Sequence, residues 1–226
     1  MSETTPVVRD VDEVKAAVLA AAKHMYERGL VEGTAGNVSG RIDAERAVLT
    51  PSSLGYLEMT IDDLVVVDLD GNVLDGHRSA TSEKALHLEC YRAYPEVGGV
   101  VHCHAKHASM FAVARRPIDA AIDEFIIYIG GDVPVANYQP SGSDELAHSV
   151  VACLADRSAA LMANHGMVCI GKSVDDALHS ALVTEHNAEI IHGAIQLGAL
   201  HPIPKKVARN FAGVYDFVRH HMWAAS

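Results

Sequence analysis

Apolar positions first fall into helical register over residues 11–28, where Val14, Val18, Leu19, Ala22 and Met25 recur at spacings of three and four and Gly29 stands just past the end. The pattern predicts an amphipathic helix closed by a C′ glycine, preceded by a polar N-terminal tail of about ten residues. The period then shortens. A glycine-rich run, GTAGNVSG (residues 33–40), precedes a strand ending in Ala47-Val48-Leu49 and a TPSS turn (50–53). Residues 63–69 read as a strand running into the Asp70-Gly71-Asn72 hairpin signal. Thr81-Ser82-Glu83 opens a second predicted helix, with Thr81 or Ser82 as N-cap and Pro95 stopping it after Tyr94. The all-apolar Gly99-Val100-Val101 then leads, as a buried strand, into His102-Cys103-His104.

Further on, the pattern predicts a helix from Ser143 or Asp144 to about Asp156 and strands at 159–162 and 167–170 joined through Asn164-His165-Gly166. A long helix from Val174 to about Leu197 follows, and beyond Pro202 and Pro204 (about 202–226) a tail with a short final helix. No repeat or linker interrupts this order. The expectation is a single α/β domain over residues 1–226, with a central mixed sheet, helices on its faces and substrate loops at one edge.

Composition narrows the partners. With 49% apolar and 21% charged residues the chain buries a full core, while 29 acidic against 18 basic residues give a formal charge of −11. That balance repels nucleic acid and anionic membrane, so an anionic substrate has to be held by local donors. Apolar runs such as 97–101 and 126–129 fall far short of the roughly 20 residues a membrane span needs, and MSETTPVVRD carries no signal-peptide pattern, so a cytoplasmic location is expected. Cys90, Cys103, Cys153 and Cys169 form no C-x-x-C pair, which predicts reduced thiols and no cysteine-ligated metal.

Among 14 histidines, His102 and His104 stand out because alternate strand residues point to one face, which puts two imidazoles on one side while Cys103 turns to the other. Zinc in a catalytic site takes a third protein ligand and leaves a position open, and His165, in a turn between two apolar segments, is the best-placed candidate. His179, His186 and His192 share a helix, and His220 and His221 lie in the tail. HCHAKH also superficially resembles the H-x-H-x-D-H of binuclear hydrolases, but Lys106 stands where the second metal's aspartate belongs, and a cation there is unfavourable. His107 is then expected to be helical and structural. An anion site is suggested by exposed N–H groups in glycine turns and at a helix N-terminus, joined by the side chains of Asn37, Ser52, Ser53, Thr81 and Ser82.

GTAGNVS (33–39), TPSS (50–53), TSE (81–83), VVHCH (100–104) and NHGM (164–167), in this order and spacing over nearly the whole chain, resemble the class II aldolase/adducin family, most closely its L-fuculose-1-phosphate aldolases. The resemblance implies the three-layer fold of that family, with a largely antiparallel sheet. It further implies that His102, His104 and His165 bind one Zn2+ per subunit, with Mn2+ or another divalent ion as the alternative, and that Glu83 is a resting-state ligand that swings off to act as base. Asn37, Ser52, Ser53, Thr81 and Ser82 match the family's phosphate pocket. The implied reaction is reversible cleavage of a ketose 1-phosphate to dihydroxyacetone phosphate and an aldehyde, L-lactaldehyde for fuculose phosphate, through a metal-stabilised enediolate. A homotetramer with active sites between subunits is implied as well.

The sequence departs from that pattern at Ser53, where the fuculose enzymes have glycine, and over residues 122–131, where Glu124 stands at the position of a tyrosine that a neighbouring subunit sends into the site, with Tyr128 nearby. A C-terminal family tyrosine matches Tyr215 if one residue is inserted, the alternative being an aromatic in the closing helix. Pentulose-phosphate 4-epimerases, sugar-acid-phosphate decarboxylases and a methylthioribulose-phosphate dehydratase share the three histidines. Glu83 favours the aldolases over the epimerases, which carry aspartate there. A non-catalytic adducin-like interaction module is the different-class alternative, and retention of the histidines and Glu83 argues against it.

Overall fold

The computed structural model describes residues 8–223. Asp10 accepts hydrogen bonds from the backbone N–H groups of Asp12 and Glu13 and so starts α1 (Val11–Glu27), whose stripe of Val14, Val18, Ala21, Ala22 and Met25 is buried. Gly29, at φ +69, closes it as expected. The polar tail expected at residues 1–10 falls mostly outside the described residues.

The strands are β1 (Asn37–Arg41), β2 (Arg46–Leu49), β3 (Val65–Asp68), β4 (Val73–Asp75), β5 (Gly99–Cys103), β6 (Val135–Ala136), β7 (Ala159–Met162) and β8 (Met167–Gly171). They form one eight-stranded sheet in the order β4-β3-β2-β1-β5-β8-β7-β6. Among the described residues only β6 and β7 pair in parallel; the other six pairings are antiparallel. The mixed, largely antiparallel sheet is thus as the family resemblance implied.

Helices cover both faces. On one lie α1, α3 (Lys106–Ala114), α4 (Asp123–Ile129) and α6 (Val174–Gln196), packed with Val38, Val48, Val101, Cys103 and Cys169. On the other lie α2 (Lys84–Ala93) and α5 (Asp144–Cys153), packed with Leu49, Val65, Val100, Val168 and Ile170. Alternate residues of β5 contribute to the two cores, which is the period-two signature of a strand buried on both sides. The last helix, α7 (Lys205–Met222), packs against α4. No helix among the described residues is long and apolar enough to cross a membrane.

Several boundaries differ from the sequence expectation. The second half of the glycine-rich run is not a turn but β1, a central strand between β2 and β5. Helix α2 begins at Lys84 with Glu83 as its cap, so neither Thr81 nor Ser82 is the N-cap. Pairing of Pro51 with Ala80, and the Thr81 N–H donating to the Thr50 carbonyl, hold this segment extended until Glu83. The closing helix is 18 residues rather than short, because buried Tyr215 and Arg219 anchor it. His220 and His221 are therefore in its last turn rather than in a loose tail.

Candidate active site

His102 is fully buried on β5 and sits across from Asn37 of β1 and Val168 of β8. Its Nδ1–H donates to the Met167 carbonyl at 2.9 Å, which fixes the tautomer and turns Nε2 outward. His104 follows just beyond the strand end. His165 arrives from the β7–β8 turn, where Asn164 takes a left-handed φ of +58 and His165 N–H donates to the Met162 carbonyl. Gly166 completes that turn because a Cβ there would collide with the Cys103 carbonyl and come within 2.9 Å of the His104 ring. Two separate elements are thereby packed tightly enough to bring the three imidazoles together.

The ring centroids of His102, His104 and His165 are mutually 4.9 Å apart, and one nitrogen from each lies within 4.8 Å of the others. Glu83 Oε2 is 3.0 Å from His102 Nε2, and Oε1 is 3.5 Å from His165 Nε2. With its proton held on Nδ1, His102 Nε2 faces the Glu83 carboxylate, which only accepts, and lies 3.1 Å from His104 Nε2. Positive charge is required between them, and three convergent imidazoles fit a divalent cation better than a shared proton.

The electrostatics agree. Burial, with the positive charge of its two neighbours, pushes His104 down to about 4, and burial with the charge of His102 lowers His165. Both rings are then neutral near pH 7, as ligation demands. Burial alone would raise the Glu83 carboxyl, but the hydrogen bond and charge of His102, the Asn37 amide and the charge of His165 outweigh it and hold it well below the usual carboxylate range. A cleft of about 430 Å³ lined by Gly29, Val31, Glu32, Ala35 and Lys106 opens beside His104.

The candidate phosphate residues lie on three segments, of which the TPSS turn and the stretch before α2 are tied to each other and the third is β1. Ser52 and Ser53 in the TPSS turn and Ser82 before α2 are exposed, and Ser52 N–H donates to the Ser79 carbonyl. Thr81 is buried, with Oγ1 accepting from Glu83 N–H at 3.3 Å, and Asn37 is buried with its amide nitrogen donating to Glu83 Oε2 at 3.1 Å. Two candidates lie elsewhere in this chain. Glu124 is exposed in the first turn of α4, and Tyr215 is buried with its hydroxyl hydrogen-bonded to Ser158 (2.8 Å) and Arg219 (3.3 Å). Within one chain Tyr215 is an aromatic of the closing helix, burial raising its hydroxyl above the ordinary value. His107 is helical as expected and pairs with Glu185 at 2.8 Å, joining α3 to α6.

Three neighbours were not read from the sequence. Ser141 Oγ donates to Glu83 Oε1 at 2.9 Å. Tyr56 donates to the carbonyls of Ala35 and Gly36, pinning the glycine loop beside the site. His87 contacts Asn37 from one helical turn beyond Glu83, a spacing the sequence does display.

Comparison with known proteins gives the same picture. Residues 16–192 match the model of the class II aldolase and adducin N-terminal domain. The L-ribulose-5-phosphate 4-epimerase UlaF of Salmonella paratyphi B (strain ATCC BAA-1250 / SPB7) is 35% identical over 207 residues, 85% of this chain and 90% of that protein. Among solved structures, an L-fuculose 1-phosphate aldolase superposes with a TM-score of 0.87 at 30% identity, covering 92% of this chain and 99% of that one. The L-fuculose-1-phosphate aldolase of Thermus thermophilus gives 0.73 at 26% identity, covering 84% and 98%. With a family match across most of its length, and a histidine tripod suited to a metal ion in the place where the motifs put it, the chain belongs to the class II aldolase and adducin family.

Proposed function

We propose that the protein is a metal-dependent aldolase that reversibly cleaves a ketose 1-phosphate of the L-fuculose 1-phosphate type to dihydroxyacetone phosphate and a small aldehyde such as L-lactaldehyde. The observation that carries the reading is the ionised Glu83 carboxylate poised between His102 and His165. His102, His104 and His165 would hold the cation, Zn2+ by preference for three imidazoles and Mn2+ otherwise, with Glu83 as the resting fourth ligand. When bound, such an ion polarises a ketone and its neighbouring hydroxyl.

Glu83 takes the proton beside that carbonyl, and Ser141 and Asn37 orient its two oxygens for the task. Ser52, Ser53 and Ser82 offer hydroxyls to the phosphate, with Asn37 and Thr81 behind them, so an acidic chain binds an anion without a lysine cluster. Glu124, exposed on α4, is assigned the return of a proton to the aldehyde oxygen in a neighbouring subunit of a cytoplasmic homotetramer, while Tyr215, buried with its hydroxyl on Ser158 and Arg219, is assigned the anchoring of the closing helix. The active species is expected to sediment as four chains.

The 35% identity to a 4-epimerase supports a second reading, epimerisation of a pentulose 5-phosphate at the same site. Glutamate rather than aspartate at position 83 favours the aldolase. The test supplies zinc-loaded protein with dihydroxyacetone phosphate and L-lactaldehyde, and in parallel with L-ribulose 5-phosphate. Consumption of the first pair, abolished in Glu83→Gln, is the expected result; conversion of L-ribulose 5-phosphate to its 4-epimer without aldol turnover would replace the aldolase with the epimerase.

A further inference from the structure

We infer that His87 is a positioning residue, locking the Asn37 amide so that its N–H, and not its carbonyl, faces the Glu83 carboxylate. The inference rests on the reading of Glu83 as base. Its ground is a continuous line of buried polar side chains between β1 and α2 running away from that carboxylate. Asn37 Nδ2 is 3.1 Å from Glu83 Oε2, and Asn37 Oδ1 is hydrogen-bonded to His87 Nε2. His87 Nδ1 is 2.7 Å from Ser39 Oγ, which is 2.7 Å from the Tyr91 hydroxyl. Asn37, Ser39, His87 and Tyr91 are all at most 4% exposed.

Every hydrogen in this line has one consistent placement. An ionised carboxylate only accepts, so the Asn37 amide nitrogen has to face it and Oδ1 has to face His87. His87 must then carry its proton on Nε2. Burial and the charge of His102 push its pKa down to about 3, so the ring is neutral and Nδ1 is an acceptor. Ser39 gives its hydrogen to Nδ1, and Tyr91 gives its own to Ser39. Tyr91 is fixed in turn by Arg41, whose guanidinium lies 4.7 Å over its ring and donates to the carbonyls of Tyr91, Tyr94 and Val97.

The orientation matters because an amide is nearly symmetric in shape. With the amide reversed, its carbonyl oxygen would oppose Glu83 Oε2 across the same 3.1 Å, repelling the carboxylate from its place between His102 and Ser141. Among the described residues the Asn37 side chain hydrogen-bonds only to Glu83 and His87, so these two partners alone discriminate its ends. The donor on His87 therefore sets the geometry of the base without touching substrate.

Two amide variants separate this role from mere filling of the core. Glutamine places its amide nitrogen near the position of Nε2 and keeps a donor for Asn37, whereas asparagine reaches only as far as Nδ1 and leaves Oδ1 of Asn37 without one. His87→Gln is expected to stay within about threefold of the parent kcat, and His87→Asn to lose about 10- to 100-fold in kcat with KM changed less than about threefold, both melting at similar temperatures. Imidazole 15N shifts of the histidine-labelled parent protein, assigned by the signal lost in His87→Gln, should show the Nε2–H tautomer. An Nδ1–H tautomer, equal losses in two folded variants, or full activity in His87→Asn would overturn the inference. Glu83→Gln is run beside them: if it stays active, the base reading fails, and the tautomer decides the hydrogen-bond line on its own.

Discussion

Ser53 stands at φ +57, in the left-handed region where a side chain costs roughly 1–2 kcal/mol and glycine does not. The fuculose enzymes that the sequence resembles have glycine at this place, so the departure at Ser53 is also a backbone strain. Glycine relieves that strain but loses more freedom on folding, roughly 0.5–1 kcal/mol. The net expectation for Ser53→Gly is a gain of about 0.5 kcal/mol, read as a higher urea midpoint with unchanged slope. A lower midpoint would mean that the hydroxyl contributes more to the turn than the strain removes. Legibility at this scale follows the range of the interaction. His102 and His104 were readable because strand alternation relates them locally, and His165 because a turn between apolar strands is a local pattern. Ser141, 58 residues from Glu83, carries no local mark that pairs them, and only the fold supplies the relation.

Three glycines on three adjacent strands explain how the helices reach the sheet. Gly40 of β1 pairs with Gly99 of β5, which pairs with Gly171 of β8, so all three share one face. A Cβ on Gly40 would meet Val14 and Val174 at 2.7 and 2.8 Å; on Gly99 it would strike the Ser173 carbonyl and come within 2.5 Å of Val174 Cα; on Gly171 it would strike the backbone of Ala177. The start of α6 thus lies directly on the middle of the sheet, with α1 beside it. Backbone cannot step aside as a rotamer can, so Gly99→Ala is expected to destabilise by about 2–3 kcal/mol, the upper range for overpacking, while Gly40→Ala, meeting valine methyls, costs about 1 kcal/mol. Urea unfolding of the two variants checks the order, and a mild Gly99→Ala would show that α6 can lift. Gly40, with Gly33 and Gly36 before it, hid β1, since a run of glycine and hydroxyl residues reads as a turn when the helix pressed against it is unknown. Strands β7 and β8 and helices α1 and α6 were legible because their apolar period is local. The length of α7 was not, because a helix held by Tyr215 against Gly130 and by Arg219 against Glu96 draws its stability from tertiary contacts rather than from its own pattern.

Over the whole molecule, the tripod and its carboxylate tie together pieces far apart in the chain: the cap of α2, the end of β5 and the β7–β8 turn. A cation bound there favours the folded state alone, because no unfolded chain holds these four groups together. One metal site at a free concentration a hundred times its dissociation constant adds about 2.7 kcal/mol. For a chain of this length each kcal/mol moves the melting temperature by about 2–4 °C, so exhaustive chelation should lower it by about 5–10 °C and stoichiometric zinc should restore it. His165→Ala is the control, because it removes one ligand from a turn without touching the sheet: its melting temperature should be indifferent to chelator. The comparison also separates an enzyme from an adducin-like module. A parent protein whose melting is as indifferent to chelator and zinc as the variant has no resident cation, and the convergence of three imidazoles on Glu83 would then have to be explained by a shared proton alone.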